Sequence, residues 1–255
     1  MKRFAILTYG VLVYVGFLAT FLRAVAFISG IGPGTTLDAA PPARGPLDWA
    51  INLGLLSLFA VQHMVMARRG FKRRWTRIIP PAAERSTFVL ATCIALNLLI
   101  SGWHGHSAVI WDASAPTLRN VLTGLSLAGF GIVLVTSFLI DHFELFGLAQ
   151  AWREFRDRAP APKGFVTPSL YRFSRHPMYL GFFVAFWAAP TMTLAHLVFA
   201  AVTTAWVIFE VIVFEEPDLV HEFGAEYRDY QARVGMFLPR GDRARDLPEN
   251  GGATA

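Results

Sequence analysis

Two polar stretches, YRFSRHPMYLG at 171–181 and FEEPDLVHEFGAEYRDY at 214–230, flank an apolar segment that is interrupted once, by APT at 189–191. A single helix over 178–214 would be about 55 Å long, well beyond the ~30 Å of bilayer hydrocarbon. Pro190 removes a backbone donor and disfavours helix at Ala189. The segment is therefore predicted to form a helical hairpin of two passes, about 16–20 residues each, that turns at Pro190 and Thr191. Both polar stretches would then lie at the same membrane surface.

Composition places the rest of the chain in a bilayer too. Hydrophobic residues make up 54% of the 255 residues and charged residues only 16%, against about 25% charged residues in soluble domains. The net charge of +5 comes from basic residues in the connections between apolar runs, which membrane topology explains better than nucleic-acid binding does. The single cysteine, Cys93, excludes a disulfide within the chain, and no Cys/His spacing typical of a metal site is present. We expect the lipid bilayer itself as a partner, no nucleic-acid partner and no metal.

Four further apolar runs are each long enough for one membrane helix, at 4–29, 47–67, 86–103 and 120–140. Basic residues crowd the connections at 68–77 and 153–175, whereas the connections at 30–46 and 104–120 carry only Arg44 and Arg119. Because basic loops stay in the cytoplasm, both termini are predicted to lie there. The sequence thus predicts an all-α integral membrane protein of about six transmembrane passes, including the C-terminal hairpin.

His176 and Pro177 stand where the chain enters the predicted hairpin. An interfacial anchor would account for them, because arginines face headgroups, tyrosines form aromatic belts and proline starts helices. It would not account for Glu215 and Glu216 at the other foot of the hairpin, since two adjacent carboxylates at the end of a membrane helix are costly unless solvated or paired. We expect histidine, tyrosine and carboxylate groups to converge there on a polar, zwitterionic or cationic ligand.

Four features follow one another over about residues 165–240: the motif RHPxYxG, the hairpin, the motif EExxLxxxFGxxYxxY and a terminal LP. In this order they resemble the isoprenylcysteine carboxyl methyltransferase and phospholipid methyltransferase group. The resemblance implies a membrane enzyme that uses S-adenosyl-L-methionine without a Rossmann domain, and the chain has no GxGxxG motif. The cofactor-binding residues predicted on this basis are Phe165, Val166, Tyr171, Arg175, His176, Pro177, Met178, Tyr179, Glu215 and Glu216. The family's arginine that approaches the substrate carboxylate matches Val211 here. This departure favours a small neutral thiol over a carboxylate substrate.

A closer resemblance extends upstream, to the bacterial methanethiol S-methyltransferases. It rests on QHMVMA at 62–67, FKRRWTR at 71–77, ERST at 84–87, SFLIDHFELFG at 137–147 and WAAPTMT at 187–193. It implies an enzyme of the bacterial cytoplasmic membrane whose site faces the cytoplasm and whose substrate is a small volatile thiol. Residues 1–164 would supply the substrate pocket, 165–240 the cofactor-binding module and 241–255 a disordered tail.

The proton acceptor for such a thiol is predicted among polar residues at the cytoplasmic helix ends. His63, Asp141 and His142 are the catalytic candidates, and His176 is a further possible acceptor. Each of these histidines could instead be an interfacial residue that is hydrogen-bonded to backbone. His104 and His106 fall on the opposite side of the predicted topology and are discounted.

Two other functions are compatible with the same motifs. The first is a methyltransferase acting on a lipidic acceptor, a prenylcysteine carboxylate or a phospholipid amine, which would need a lateral opening and a cation near Val211. The second is a non-catalytic membrane protein of the same architecture, related to the nitrite-reductase-associated family. The full pair of HPxY and EE motifs favours an enzyme over this second alternative.

Overall fold

The computed structural model describes residues 1–32, 34–159 and 164–240. The predicted disordered tail at 241–255 lies outside the described residues. The helices are α1 Lys2–Ser29, α2 Pro46–Ala67, α3 Arg69–Trp75, α4 Pro81–Gly102, α5 Pro116–Ile140, α6 His142–Leu145, α7 Leu148–Phe155, α8 Pro177–Trp187, α9 Leu194–Glu210, α10 Glu216–Phe223 and α11 Ala225–Arg233. Two short strands, β1 Val109–Asp112 and β2 Thr191–Thr193, a 3-10 turn at Ser169–Arg172 and a π-helical turn at Val211–Glu215 complete the described elements.

Within the part of the chain that the structure describes, five helices are long and apolar enough to cross a membrane: Lys2–Ser29, Pro46–Ala67, Pro81–Gly102, Pro116–Ile140 and Leu194–Phe223. The predicted all-α membrane architecture is confirmed in this respect. Four of the helices begin before the predicted residue, and in three of them Pro46, Pro81 or Pro116 occupies the first helical turn. Proline is favoured there, since its missing N–H would have no intrahelical partner in any case.

The first arm of the C-terminal hairpin differs from expectation. α8 has only 11 residues, about 16 Å of helix, whereas a pass of about 16–20 residues was predicted. The chain leaves the helix at Ala188 and becomes extended, and β2 pairs antiparallel with β1 through Val109 opposite Thr193 and Asp112 opposite Thr191. The predicted turn at Pro190 and Thr191 therefore leads into a small sheet, which Thr191 begins, rather than directly into a second full-length helix.

The bundle has two ends with different character. The basic end carries residues 68–80, 141–159 and 164–176, and the distal end carries 30–32, 34–45, 103–115 and 188–193. At the distal end the Asp38 carboxylate accepts hydrogen bonds from the backbone N–H of Thr193 at 3.0 Å and from its hydroxyl at 2.8 Å. The other carboxylate oxygen lies 2.7 Å from Nδ1 of His196, which is fully buried. This cluster ties the first connection to the hairpin turn.

Small residues let α8 pack closely along α5. A Cβ added at Gly129 would lie 2.5 Å from the Gly181 carbonyl oxygen and 2.6 Å from the Ala185 nitrogen. Along the helix axes, Gly129 is about 16 Å from Ile140 and Gly181 is about 6 Å from Pro177. Gly129 and Gly181 lie at the same height in the bundle. The start of α8 is therefore about 10 Å deeper, measured from the basic end, than the end of α5. The foot of the hairpin is therefore recessed.

The Gly129 contact gives a test of this packing. Gly129→Ala should lower the free energy of unfolding by about 1–3 kcal/mol, because the added methyl group meets backbone atoms that cannot move aside. Gly131→Ala is the matched control, since nothing lies within 4 Å of a Cβ at that position of the same helix. Thermal unfolding of both variants in one detergent measures the difference. Equal melting temperatures would contradict the close α5–α8 contact.

Candidate active site

A buried ion pair joins the two feet of the hairpin. Arg175 donates from Nε to Glu216 Oε1 at 2.6 Å and from Nη2 to Oε2 at 3.1 Å. Both residues are 8% exposed. A bidentate arginine–carboxylate pair is a strong, directional interaction. It fixes the start of α8 against the start of α10.

The remaining hydrogen-bonding capacity of this pair is also used within the protein. Glu216 accepts from Gln231 Nε2 at 2.6 Å and from the Tyr227 hydroxyl at 3.3 Å, and His176 Nε2 lies 3.0 Å from Oε1. Arg175 Nη1 donates to the carbonyl oxygen of Val234 at 2.6 Å. The pair is thus enclosed by α11 and by the chain that follows it.

Backbone pairing holds the enclosing segment in place. The N–H groups of Arg175 and His176 donate to the carbonyl oxygens of Gly235 at 2.9 Å and Met236 at 3.0 Å. Gly235 is required at this point, because an added Cβ would collide with the carbonyl oxygen of Leu238. The sequence after α11 therefore forms one wall of the site.

Glu215 has a different environment from its neighbour. Its side chain is 33% exposed. One oxygen accepts from the Tyr179 hydroxyl at 2.8 Å, and the other lies 3.6 Å from His176 Nδ1. Glu215 ends the π-helical turn Val211–Glu215, a distortion that often marks functional sites. With fewer protein donors around it, the Glu215 carboxylate retains capacity for a ligand.

Burial and the neighbouring carboxylates determine the protonation of His176 and Tyr171. Burial by itself would lower the pKa of His176, but its contacts with Glu215 and Glu216 raise that pKa above the usual value for histidine. Burial and the negative charge of Glu215 raise the pKa of Tyr171. His176 is therefore suited to holding two carboxylates as a cation and poorly suited to accepting a proton, and Tyr171 stays a neutral phenol.

The remaining predicted cofactor residues surround this foot of the hairpin. Phe165 packs on the C-terminal helices, with ring centroids 5.2 Å from Phe223 and 5.3 Å from Tyr230. Val166 is 67% exposed. Pro177 and Met178 begin α8 beside His176. The structure thus brings the ten predicted residues to one region, in which Arg175 and Glu216 are internally paired.

His63 lies on α2, against α4. Its ring lies 4.9 Å from that of Phe88 and 5.8 Å from that of Phe59, and Nδ1 is 3.4 Å from the Thr92 hydroxyl. His63 thus packs against α4 through Phe88 and Thr92.

Asp141 and His142 are used elsewhere in the fold. His142 Nε2 lies 2.8 Å from the Tyr14 hydroxyl and Nδ1 lies 2.8 Å from the Ser137 hydroxyl. Its ring stacks on Phe138 at 4.1 Å, and burial lowers its pKa. Asp141 accepts from the Glu144 N–H at 3.2 Å and so caps α6. These contacts join His142 to α1 and α5, and Asp141 to α6.

Sequence reasoning did not identify the cation at the mouth of the site. Arg68 Nη2 lies 2.5 Å from Glu210 and Nη1 lies 3.1 Å from Asp218. The Arg68 guanidinium also stands 4.5 Å from the centre of the Phe214 ring. The available signal was Glu210 itself, because a carboxylate within an apolar helix requires a partner. Arg68 joins α2 to the C-terminal module.

Comparisons with known proteins agree with the resemblance seen in the motifs. The family described as NnrU protein matches residues 52–237. Methanethiol S-methyltransferase 1 of Bradyrhizobium diazoefficiens is 46% identical over 93% of this chain and 83% of its own length. Methanethiol S-methyltransferase of Mycobacterium tuberculosis is 46% identical over 94% of this chain and 98% of its own length. Nurim of Xenopus laevis is a more distant relative, 27% identical over 76% of this chain and 70% of its own length. No solved structure matches.

The two adjacent glutamates should respond differently to the same substitution. Glu216→Gln should lower the free energy of unfolding by about 3 kcal/mol, because it leaves the buried Arg175 without its counter-charge. Glu215→Gln should change that free energy by at most about 0.5 kcal/mol, since the side chain is partly solvated and few protein groups depend on it. Thermal unfolding in detergent measures both. Equal losses of stability would contradict the structural assignment of Glu216.

Proposed function

Since this chain belongs to the NnrU protein family and is 40–46% identical over most of its length to proteins named methanethiol S-methyltransferase, we propose that it methylates methanethiol with S-adenosyl-L-methionine, giving dimethyl sulfide. The observation that carries the proposal at the site is the unequal use of two adjacent carboxylates. Glu216 is saturated by protein donors, whereas Glu215 keeps open acceptor capacity. An open carboxylate beside aromatic rings suits a cationic ligand.

The donor set fits the chemical groups of this cofactor. Glu215 would pair with the ammonium group, and Tyr171 and Tyr179 would line the site with neutral phenol rings. His176 would hold Glu215 in place through its Nδ1, 3.6 Å away. When bound, the cofactor supplies an electrophilic methyl group on a sulfonium centre. Phe165 supports the wall formed by α10 and α11 from behind, and Val166, Pro177 and Met178 would contact the cofactor from the chain entering α8.

The substrate side supports a small neutral acceptor. Val211 is fully buried at the position where the carboxylate-recognising arginine of the wider group would stand. The nearby cation, Arg68, is already engaged with Glu210 and Asp218. Methanethiol is apolar and can reach a pocket between helices through the bilayer. A recessed site also favours a reaction in which a thiolate and a sulfonium neutralise each other, because closing over the cofactor would exclude water.

His63 is proposed as the group that accepts the proton of the thiol. The Thr92 hydroxyl donates to the Phe88 carbonyl oxygen at 3.0 Å, so toward His63 Nδ1 it can only accept. Nδ1 therefore carries the hydrogen, and the lone pair of Nε2 remains available. The S–H bond breaks as Nε2 takes the proton, and the thiolate sulfur is then the nucleophile. Holding it in line for the transfer can contribute about 7–11 kcal/mol to rate acceleration.

Sidedness follows from the same basic residues that mark one end of the bundle. Residues 68–77 lie at the end where Arg68 and Arg175 meet their carboxylate partners. Because basic connections are retained in the cytoplasm, we place the site and both chain ends on the cytoplasmic face of a bacterial inner membrane. The cofactor would then enter from the cytosol.

Membranes that contain the protein should convert methyl-labelled S-adenosylmethionine and methanethiol to labelled dimethyl sulfide. Glu215→Gln should raise the Kd for the cofactor about tenfold or more, because it removes a charge-assisted contact. Headspace gas chromatography measures the product, and calorimetry on purified protein measures binding. Glu222→Gln is the control, since Glu222 pairs with Arg69 on the exposed surface. Label in lipid instead of dimethyl sulfide would favour the lipidic acceptor, and an unchanged Kd would contradict the role of Glu215.

His63→Ala should lower kcat by about 10²-fold or more while changing the cofactor Kd little, because a positioned base accelerates proton transfer by that order. The loss should be largest at low pH, where thiolate is scarce, and should shrink as pH rises toward the pKa of the free thiol. His106→Ala at the distal end is the matched control. Parallel losses of kcat and binding at all pH values would indicate a structural role for His63.

A further inference from the structure

Arg23 places a positive charge inside the first membrane helix. It lies within the apolar span Lys2–Ser29 and is exposed on the surface of the bundle. Among residues 1–32, 34–159 and 164–240, no carboxylate lies within ion-pair distance of its guanidinium. Charges in a membrane segment are costly and are normally paired. The methyltransferase site at the other end of the bundle gives Arg23 no role.

Neutral side chains of α4 fix the orientation of this guanidinium. Nη1 donates to Asn97 Oδ1 at 2.5 Å, and Nη2 donates to the Ser101 hydroxyl at 2.8 Å. The Asn97 amide is itself fixed, because its nitrogen donates to the Thr20 hydroxyl and to the Cys93 carbonyl oxygen, both at 2.9 Å. Two of the five guanidinium N–H groups are thereby used, and an oriented set of donors remains.

The depth of the group matches that of lipid headgroups. Ser101 lies in the last turn of α4, which ends at Gly102 at the distal end. Arg23 is about 9 Å from the end of α1 at Ser29. The guanidinium is therefore held near the distal membrane surface rather than at the bilayer centre. Arginine at such a depth commonly directs its charge toward the interface.

An exposed apolar strip runs from this group toward the bilayer centre. Leu98 and Ile94 precede Ser101 on one face of α4 and are 50% and 54% exposed. Leu22, beside Arg23 on α1, is 66% exposed. A phosphate at Arg23 and Ser101 would thus be followed by a surface that suits an acyl chain. This continuity favours a lipid phosphate over free inorganic phosphate.

We propose that Arg23, held by Asn97 and Ser101, binds the phosphate group of a phospholipid in the leaflet at the distal end. The phosphodiester supplies the missing negative charge, and its oxygens suit the planar donors of arginine. The acyl chains lie along Leu98 and Ile94. This site is separate from the methyltransferase site and does not depend on the assigned reaction.

Native mass spectrometry of delipidated protein, titrated with phosphatidylglycerol, tests the site. The wild type should retain one tightly bound phospholipid that Arg23→Gln binds about tenfold more weakly, as expected on losing a charge-assisted contact. Arg119→Gln is the matched control, since Arg119 also lies at the distal end but pairs with Asp112 at 2.8 Å. It should bind as the wild type does. Equal phospholipid binding by wild type and Arg23→Gln would overturn the proposal.

Two further measurements identify the ligand and guard against misfolding. Diacylglycerol, which lacks the phosphate, should not stabilise the wild type against heat, whereas phosphatidylglycerol should raise its melting temperature. If inorganic phosphate alone gives the same rise, the site binds free anions and the lipid assignment is wrong. Should Arg23→Gln fail to fold, Ser101→Ala serves instead, with weaker retention of phospholipid expected and unchanged retention overturning the proposal.

Discussion

The buried pair of Arg175 and Glu216 is the interaction on which the basic end of the protein depends. Removing two charges from water costs several kcal/mol per ion, and the attraction between them repays this only when further hydrogen bonds complete the geometry. The protein supplies those bonds from α11 and from the chain beyond it, through Gln231, Tyr227 and the Val234 carbonyl oxygen. Although α11 and the chain beyond it follow the hairpin in sequence, they are thus needed to stabilise the ion pair at its foot.

The same constraint explains why two glutamates stand side by side. Once Glu216 is committed to the ion pair, Glu215 is the carboxylate that can face a ligand. The π-helical turn before it and the His176 ring between the two carboxylates keep these tasks apart. Structural and ligand-directed charges can therefore occupy consecutive positions without exchanging roles. The proposed proton acceptor, His63, stands on a different helix, α2.

Much of the architecture could be predicted because membrane spans appear in a sequence as long apolar runs. The ends of α1 and α2 and the turn near Pro190 follow from run length, glycine and proline. The short α8 could not be predicted, since a pass completed by an extended segment has the same composition as one completed by helix. The β1–β2 pairing could not be predicted either, because it joins chain segments that lie far apart in sequence.

The residues of the candidate cofactor site could be gathered from the sequence, but their contacts with one another could not. Motif resemblance gathered the ten residues around His176, and the structure brings them to one region. The motif resemblance could not show that Arg175 and Glu216 form an ion pair with each other, or that both ring nitrogens of His142 are occupied by Tyr14 and Ser137. Such pairing depends on distances between helices, which a single sequence does not contain. The same holds for Arg68, whose partner lies 142 residues away.

The short α8 also has a consequence for the surrounding lipid. Its helix is about 16 Å long, against ~30 Å of hydrocarbon in an ordinary bilayer, and Trp187 at its end is 39% exposed. The extended residues 188–193 complete this pass, and their backbone N–H and C=O groups cannot be left facing hydrocarbon. Pairing with β1 and hydrogen bonds from the Trp111 side chain and the Ala113 N–H supply partners for this stretch. Lipid beside the hairpin turn therefore meets paired backbone instead of an open strand edge.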